Sequence, residues 1–155
     1  MNGKAVISPT AGGKDPRPRS ATERAAGGDG LAADAGERFA WALAAKDGAA
    51  MCALLADPVD FRALTPGRHW QASDGREVVE EIVLGHWFGA GDDILELCSV
   101  TTGRVLEREH VAYRVRVRRS GRDHLVEQQA YYSTDGGRIT WMRVLCSGYQ
   151  PVPPA

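Results

Sequence analysis

The stretch "VEQQAYYSTDGGRITWMRVLCSG", residues 126–148, holds an unusual density of groups able to do chemistry. Glu127, Gln129 and Tyr131 alternate, so on a strand they share one face. A carboxylate can exchange protons there, while an amide and a phenol can hold a ligand oxygen. After Gly136-Gly137 a second run alternates Met142, Val144 and Cys146. Folded as a hairpin, the two runs are expected to set the polar face beside the apolar one, and that face either meets solvent or lines a pocket. Glu127 would be the only carboxylate on that face, where desolvation raises a carboxyl pKa toward general acid/base duty. The competing reading leaves Glu127 solvated at a cavity mouth or paired with an arginine.

Other candidates are more scattered. His86 falls on the apolar stripe of a predicted helix, one turn beyond Ile82, as a proton carrier or a hydrogen-bonded core histidine. Trp70 follows His69 in a segment that could close over a pocket. Tyr113 could donate to a substrate oxygen or pack with its hydroxyl bonded elsewhere. Cys146 has no neighbouring base or positive charge, which predicts an inert thiol in a wall. No Cys, His or carboxylate spacing resembles a metal site. There is neither a phosphate-binding glycine loop nor a nucleophile elbow, and no cofactor is expected.

Bulk properties narrow the class. The 155 residues fit one ordinary domain. Nineteen basic and twenty acidic residues, well mixed, give a formal net charge of -1. That balance points away from nucleic acid and anionic membrane surfaces. The run "RVRVRRSGR", residues 114–122, alternates like the outer face of a strand. Three separated cysteines favour free thiols in a reducing compartment, which predicts a cytoplasmic protein. No apolar run approaches a membrane span.

Residues 1–28 lack hydrophobic periodicity and are expected to form a disordered tail. The folded domain is expected over residues 29–150, with a Pro-rich tail at 151–155. Helical periodicity marks 31–48, through Leu31, Ala35, Phe39, Ala42 and Leu43, then a short helix near 49–57 that Pro58 ends, and a third over 75–88 with Asp74 as N-cap. Between the last two, "VDFRAL" alternates like a strand, and "TPGRHWQASDG" reads as a turn-rich crossing. After Gly91 the period falls to two, in "ILELCSVTT", "HVAYRVRVRR", "HLVEQQAYYS" and "RITWMRVLCSGY". Helices followed by antiparallel strands predict an α+β fold, a long curved sheet wrapped as a cone around helices.

"ERFAWALAAKDGAAMCALLADPVDFRAL", "DGREVVEEI" and "DGGRITWMRVLCSGY" together resemble the nuclear transport factor 2-like superfamily. The ketosteroid isomerase and SnoaL-type polyketide cyclase branches are the most similar. The order agrees: a helix ending in a small-residue-Asp step, a "GRE" helix start, and a "GRI" step into the last strand. The resemblance implies a deep, mostly apolar pocket and a homodimer through the outer sheet face. Carried over singly, the isomerase's oxyanion tyrosine falls on Phe39, its proton-shuttling aspartate near Thr65-Pro66, and its protonated aspartate on Gln129. None keeps its group. The epoxide hydrolase branch would need an Asp-Arg-Asp cluster, for which only Asp60 and Arg62 offer themselves.

Two function classes follow. One is a cofactor-free isomerase, cyclase or dehydratase acting on an apolar, oxygen-bearing small molecule. In it Glu127, His86 and Tyr131 carry the chemistry, and Gln129, Tyr113, Phe39, Met142, Cys146 and Trp70 bind substrate. The other is a non-catalytic ligand-binding or dimerisation module.

Overall fold

The computed structural model describes residues 34–153. The expected N-terminal tail and Leu31 lie outside them.

Helix α1 (Ala35–Ala44) starts where Asp34 accepts from the Glu37 amide at 2.8 Å, an N-cap satisfying one of the helix's orphan donors. Its Phe39, Ala40 and Leu43 are buried, as the 3.6-residue stripe requires. Helix α2 (Gly48–Ala53) is capped the same way by Asp47. It stops before Pro58, which lies instead inside strand β1 (Leu55–Thr65) after a cis Asp57–Pro58 bond.

The predicted crossing over 65–75 is a hairpin. β1 turns at Pro66-Gly67 into β2 (Arg68–Ala72), and the two pair antiparallel. Gly67 has a φ of 74°, which glycine tolerates without a Cβ clash. Helix α3 (Glu77–Trp87) follows, with Asp74 at its start accepting from the Arg76 amide. It is wound as a π-helix: the amide of Phe88 reaches back five residues to the Val83 carbonyl at 2.8 Å. Gly85 makes this winding possible, because a Cβ there would sit 2.6 Å from the Glu80 carbonyl oxygen.

Four long strands complete the sheet: β3 (Asp92–Val105), β4 (Arg108–Arg119), β5 (Arg122–Asp135) and β6 (Arg138–Cys146). A short β7 (Gln150–Pro151) pairs with β5. The order is β2-β1-β6-β5-β4-β3, antiparallel throughout except for the parallel β1–β6 pair. This is the expected α+β architecture, a curved mixed sheet closing over the helices. Tyr113, Val115 and Val117 point into the core and Arg114 and Arg116 to solvent, as alternation predicts.

The inward face of β5 corrects the sequence reading. Val126, Gln128, Ala130 and Tyr132 are buried, whereas Glu127, Gln129 and Tyr131 are exposed. The cause is a bulge in β6. Ser133 pairs with Trp141 and Thr134 with Ile139, so Thr140 is an extra residue. Continued without it, the ladder would set Tyr131 opposite Met142; with it, Tyr132 takes that place, and every β5 side chain changes face relative to β6.

Tyr132 ties this strand to α1. Its hydroxyl accepts from the Gly36 amide and donates to Asp34, both at 3.0 Å. A Cβ on Gly36 would meet the Tyr132 ring at 2.5 Å, so only glycine lets helix and ring approach this closely.

Candidate functional site

A cleft of about 460 Å³ opens where four elements meet. The β1–β2 hairpin supplies Thr65, Pro66 and Trp70; the end of α3 supplies His86, Trp87 and Phe88. Val126, Gln128 and Cys146 form the sheet wall, and the segment Ser147–Gln150 closes the far side with Arg119. No carboxylate side chain lines it among the described residues.

Two donors on residues that line this cleft lack partners. Gln128 is 1% exposed, yet its Nε2 bonds to nothing among the described residues, and the same holds for Nε1 of the buried Trp87. An unpaired buried N–H costs on the order of 1–3 kcal/mol, so such groups mark places that a ligand or water completes. The Gln128 amide is not free to turn. Tyr113, wholly buried behind it, donates its hydroxyl to Gln128 Oε1 at 2.6 Å. Burial pushes the Tyr113 phenol far above its ordinary pKa, so it stays a neutral donor that occupies Oε1 and leaves Nε2 as the unpaired atom.

His86 stands exposed at the rim. The π-winding brings its Nδ1 to 2.6 Å from the Glu81 carbonyl, five residues back. A carbonyl can only accept, so Nδ1 carries the proton and Nε2 is the acceptor of the neutral ring. Trp70 leans on this imidazole with ring centroids 5.2 Å apart, while its Nε1 donates to Thr65 Oγ1 at 2.8 Å.

The mouth wall is braced by ions. Arg119 grips Asp92 through Nε and Nη2 at 2.7 and 2.8 Å and stacks 3.5 Å over the Tyr149 ring. Tyr149 in turn donates to the Trp87 carbonyl at 2.6 Å. Lys46 adds bonds from Nζ to the Gly89 and Asp92 carbonyls. The Arg119 hydrogen bond holds the Asp92 carboxyl below the usual carboxylate range, against the burial that would raise it.

The expected site residues therefore separate. Trp70, His86 and Cys146 come together on the cleft, with Tyr113 one bond behind it. Phe39 and Met142 are buried in the core and do not line it. Glu127, Gln129 and Tyr131 lie on the opposite side of the sheet: Glu127 pairs with Arg114 at 3.4 Å, and Gln129 faces His110 at 3.2 Å. The arginine-paired reading of Glu127 is the one realised. Asp60 and Arg62 also face outward, with Asp60 bound to Arg143 at 3.1 Å. Gln128, Trp87, Arg119 and Tyr149 were not singled out from sequence. Gln128 shares its parity with the apolar Val126 and Ala130, the signal that marks it as inward.

Among the described residues no His, Cys, Asp and Glu group could hold a metal ion, and no helix is long and apolar enough to cross a membrane.

Among the described residues, a curved sheet closed over three helices, with a cleft between hairpin, helix end and sheet, defines a cone-type α+β fold. It is the fold of the nuclear transport factor 2-like proteins. No family model and no curated protein matches the chain. Solved structures do. An NTF2-like protein from Burkholderia thailandensis matches at 16% identity and a TM-score of 0.54, over 72% of this chain and 86% of that one. A proposed polyketide cyclase from Xanthomonas campestris matches at 18% and 0.55, over 79% and 90%. An LEH-like epoxide hydrolase from M. tuberculosis matches at 17% and 0.54, over 73% and 80%. Identities this low establish the fold and leave the chemistry to the site.

Proposed function

We propose that this protein binds a small, largely apolar, oxygen-bearing molecule in the cleft and acts on it by cofactor-free proton transfer. One observation carries the reading: Gln128 Nε2 and Trp87 Nε1, on two residues that line the cleft, are buried donors without acceptors among the described residues. They suit a ligand oxygen, and they suit developing negative charge on that oxygen better still. His86 Nε2 is the base. It takes a proton from the carbon beside a carbonyl, the electron pair moves to the oxygen held by the donors, and the proton returns to the same or a neighbouring carbon. Such a step isomerises the ligand; the same enolate could instead add to a second carbonyl carbon, closing a ring as that oxygen takes the proton, or expel a β-hydroxyl, which leaves as water with the proton from His86.

The test uses 2-decanone as probe. Calorimetry should show binding that Gln128→Met weakens by about 5–100-fold, the worth of one buried hydrogen bond. In D₂O, NMR should show deuterium entering beside the carbonyl faster than in buffer, and His86→Ala should slow this about 10²-fold. Binding without catalysed exchange would leave a non-catalytic binding module. Absence of binding would reject the cleft as the site.

A homodimer through the outer sheet face is the second proposal. Leu64 and Leu145 pair across β1 and β6 on that face and are 53% and 60% exposed, beside the half-exposed Tyr131. Sedimentation of wild type and Leu145→Glu decides it: a dimer that the variant converts to monomer supports it, and a monomeric wild type rejects it.

A further inference from the structure

We infer that the ligand of this cleft is an amphipathic carboxylic acid, its carboxylate at the mouth on Arg119 and its neutral oxygen at the inner donors. The inference rests on the cleft being the binding site and adds the second polar end of the ligand.

The charges around the cleft are one-sided. Its lining contains a guanidinium and no carboxylate. Asp92, which faces Arg119 from behind the wall, is shared between two cations. Arg119 occupies its side chain and Lys46 its backbone carbonyl, so the cluster keeps one net positive charge. Arg119 is also ready for a further acceptor. Nε and Nη2 are committed to Asp92, with Nη2 also reaching the Trp87 carbonyl at 3.3 Å. Nη1 has no partner among the described residues, and stacking on Tyr149 fixes the plane in which it lies. A guanidinium held this way gives up little freedom on binding a carboxylate. It is 38% exposed, so a carboxylate on it keeps part of its hydration.

The inner end asks for something different. Gln128 and Trp87 offer neutral donors and no counter-ion, in walls of Val126, Phe88 and Cys146. Burying a carboxylate there would leave its charge unpaired, whereas a ketone or ester oxygen costs far less to desolvate. An amine at the mouth would meet the Arg119 guanidinium and no lining carboxylate.

Length follows from the strand. Gln128 pairs with Tyr113, six residues along β4 from Arg119. At about 3.3 Å per residue that is roughly 20 Å between backbones, which glutamine and arginine side chains reaching along the strand can reduce by up to about half. An acyl chain with some seven methylenes between its two polar carbons fits within that range.

The experiment is calorimetric titration of the wild-type protein with 9-oxodecanoate, methyl 9-oxodecanoate, 2-decanone and 10-aminodecan-2-one. The acid is expected to bind at least tenfold more tightly than the ester or 2-decanone, and the amine more weakly than either. Arg119→Gln should level acid and ester, while Gln128→Met weakens both alike. Should Arg119→Gln fail to fold, the four-ligand series on the wild type decides alone. Equal affinity of acid and ester, with both still sensitive to Gln128→Met, overturns the carboxylic acid and leaves the cleft standing. If no compound binds, or Gln128→Met changes nothing, the cleft reading falls and this inference with it.

Discussion

Tyr113 gives its hydroxyl proton to Gln128 across the β4–β5 ladder at 2.6 Å, and that bond fixes which amide atom is left unpaired. A buried polar pair with one unpaired donor is a cost to the fold. Tyr113→Phe alone should destabilise the protein by about 1–3 kcal/mol, because it strands a buried carbonyl oxygen. The double variant Tyr113→Phe/Gln128→Met removes all three buried polar groups and should equal or exceed wild-type stability in urea unfolding, with affinity for 2-decanone lost. A double variant as unstable as the single would show that the pair holds the fold rather than the ligand.

Glu127→Gln and Tyr131→Phe should leave probe binding and deuterium exchange unchanged, since both side chains lie across the sheet from the cleft. Stability should stay within about 0.5 kcal/mol of wild type, because the Glu127–Arg114 pair is half-exposed on both sides. A tenfold loss of exchange in either variant would move the chemistry to the outer face.

Gly85→Ala is the sharpest probe of the π-helix. The added Cβ collides with the Glu80 carbonyl, a backbone atom that cannot step aside alone. Either α3 rewinds, removing His86 from the Glu81 carbonyl, or the domain loses more than about 2 kcal/mol. Where α3 rewinds, exchange of 2-decanone should fall about as far as in His86→Ala; where it does not, the loss appears in urea unfolding. A stable, fully active variant would refute the role given to the winding.

Asp92 makes the mouth acid-sensitive. Its folded pKa lies below its unfolded value of about 3.9, so its contribution is complete above that value and is lost as the pH falls through the lower, folded one. Urea unfolding below about pH 4 should show stability falling with acid, more steeply in wild type than in Asp92→Asn. Identical slopes would mean that the Arg119 contact does not hold the carboxyl in its charged form.

Much of this architecture was legible from periodicity. The 3.6-residue stripes located α1 and α3, and the alternation of Tyr113, Val115 and Val117 against the arginines oriented β4. The hairpin at Pro66-Gly67 was hidden because β2 is only five residues long and its polar residues read as loop. The larger miss was the face of β5. Doublets at 128–129 and 131–132 look alike in either parity, and a one-residue bulge at Thr140 has no composition of its own. Trp87 and Arg119 escaped notice for a different reason: their importance lies in an unpaired atom and in the geometry of an ion pair, which exist only in the folded chain.

Trp70 and Trp87 meet edge to face, centroids 6.1 Å apart, on the cleft surface. The other two indoles are elsewhere: Trp41 is largely exposed on α1, and Trp141 lies between Arg108 and Arg143. The molecule therefore carries its own optical reporter. Occupancy of the cleft changes the surroundings of half its indoles, and replacing Trp41 and Trp141 by phenylalanine would leave an emission spectrum that reads the site alone, without a label and without knowing the ligand in advance.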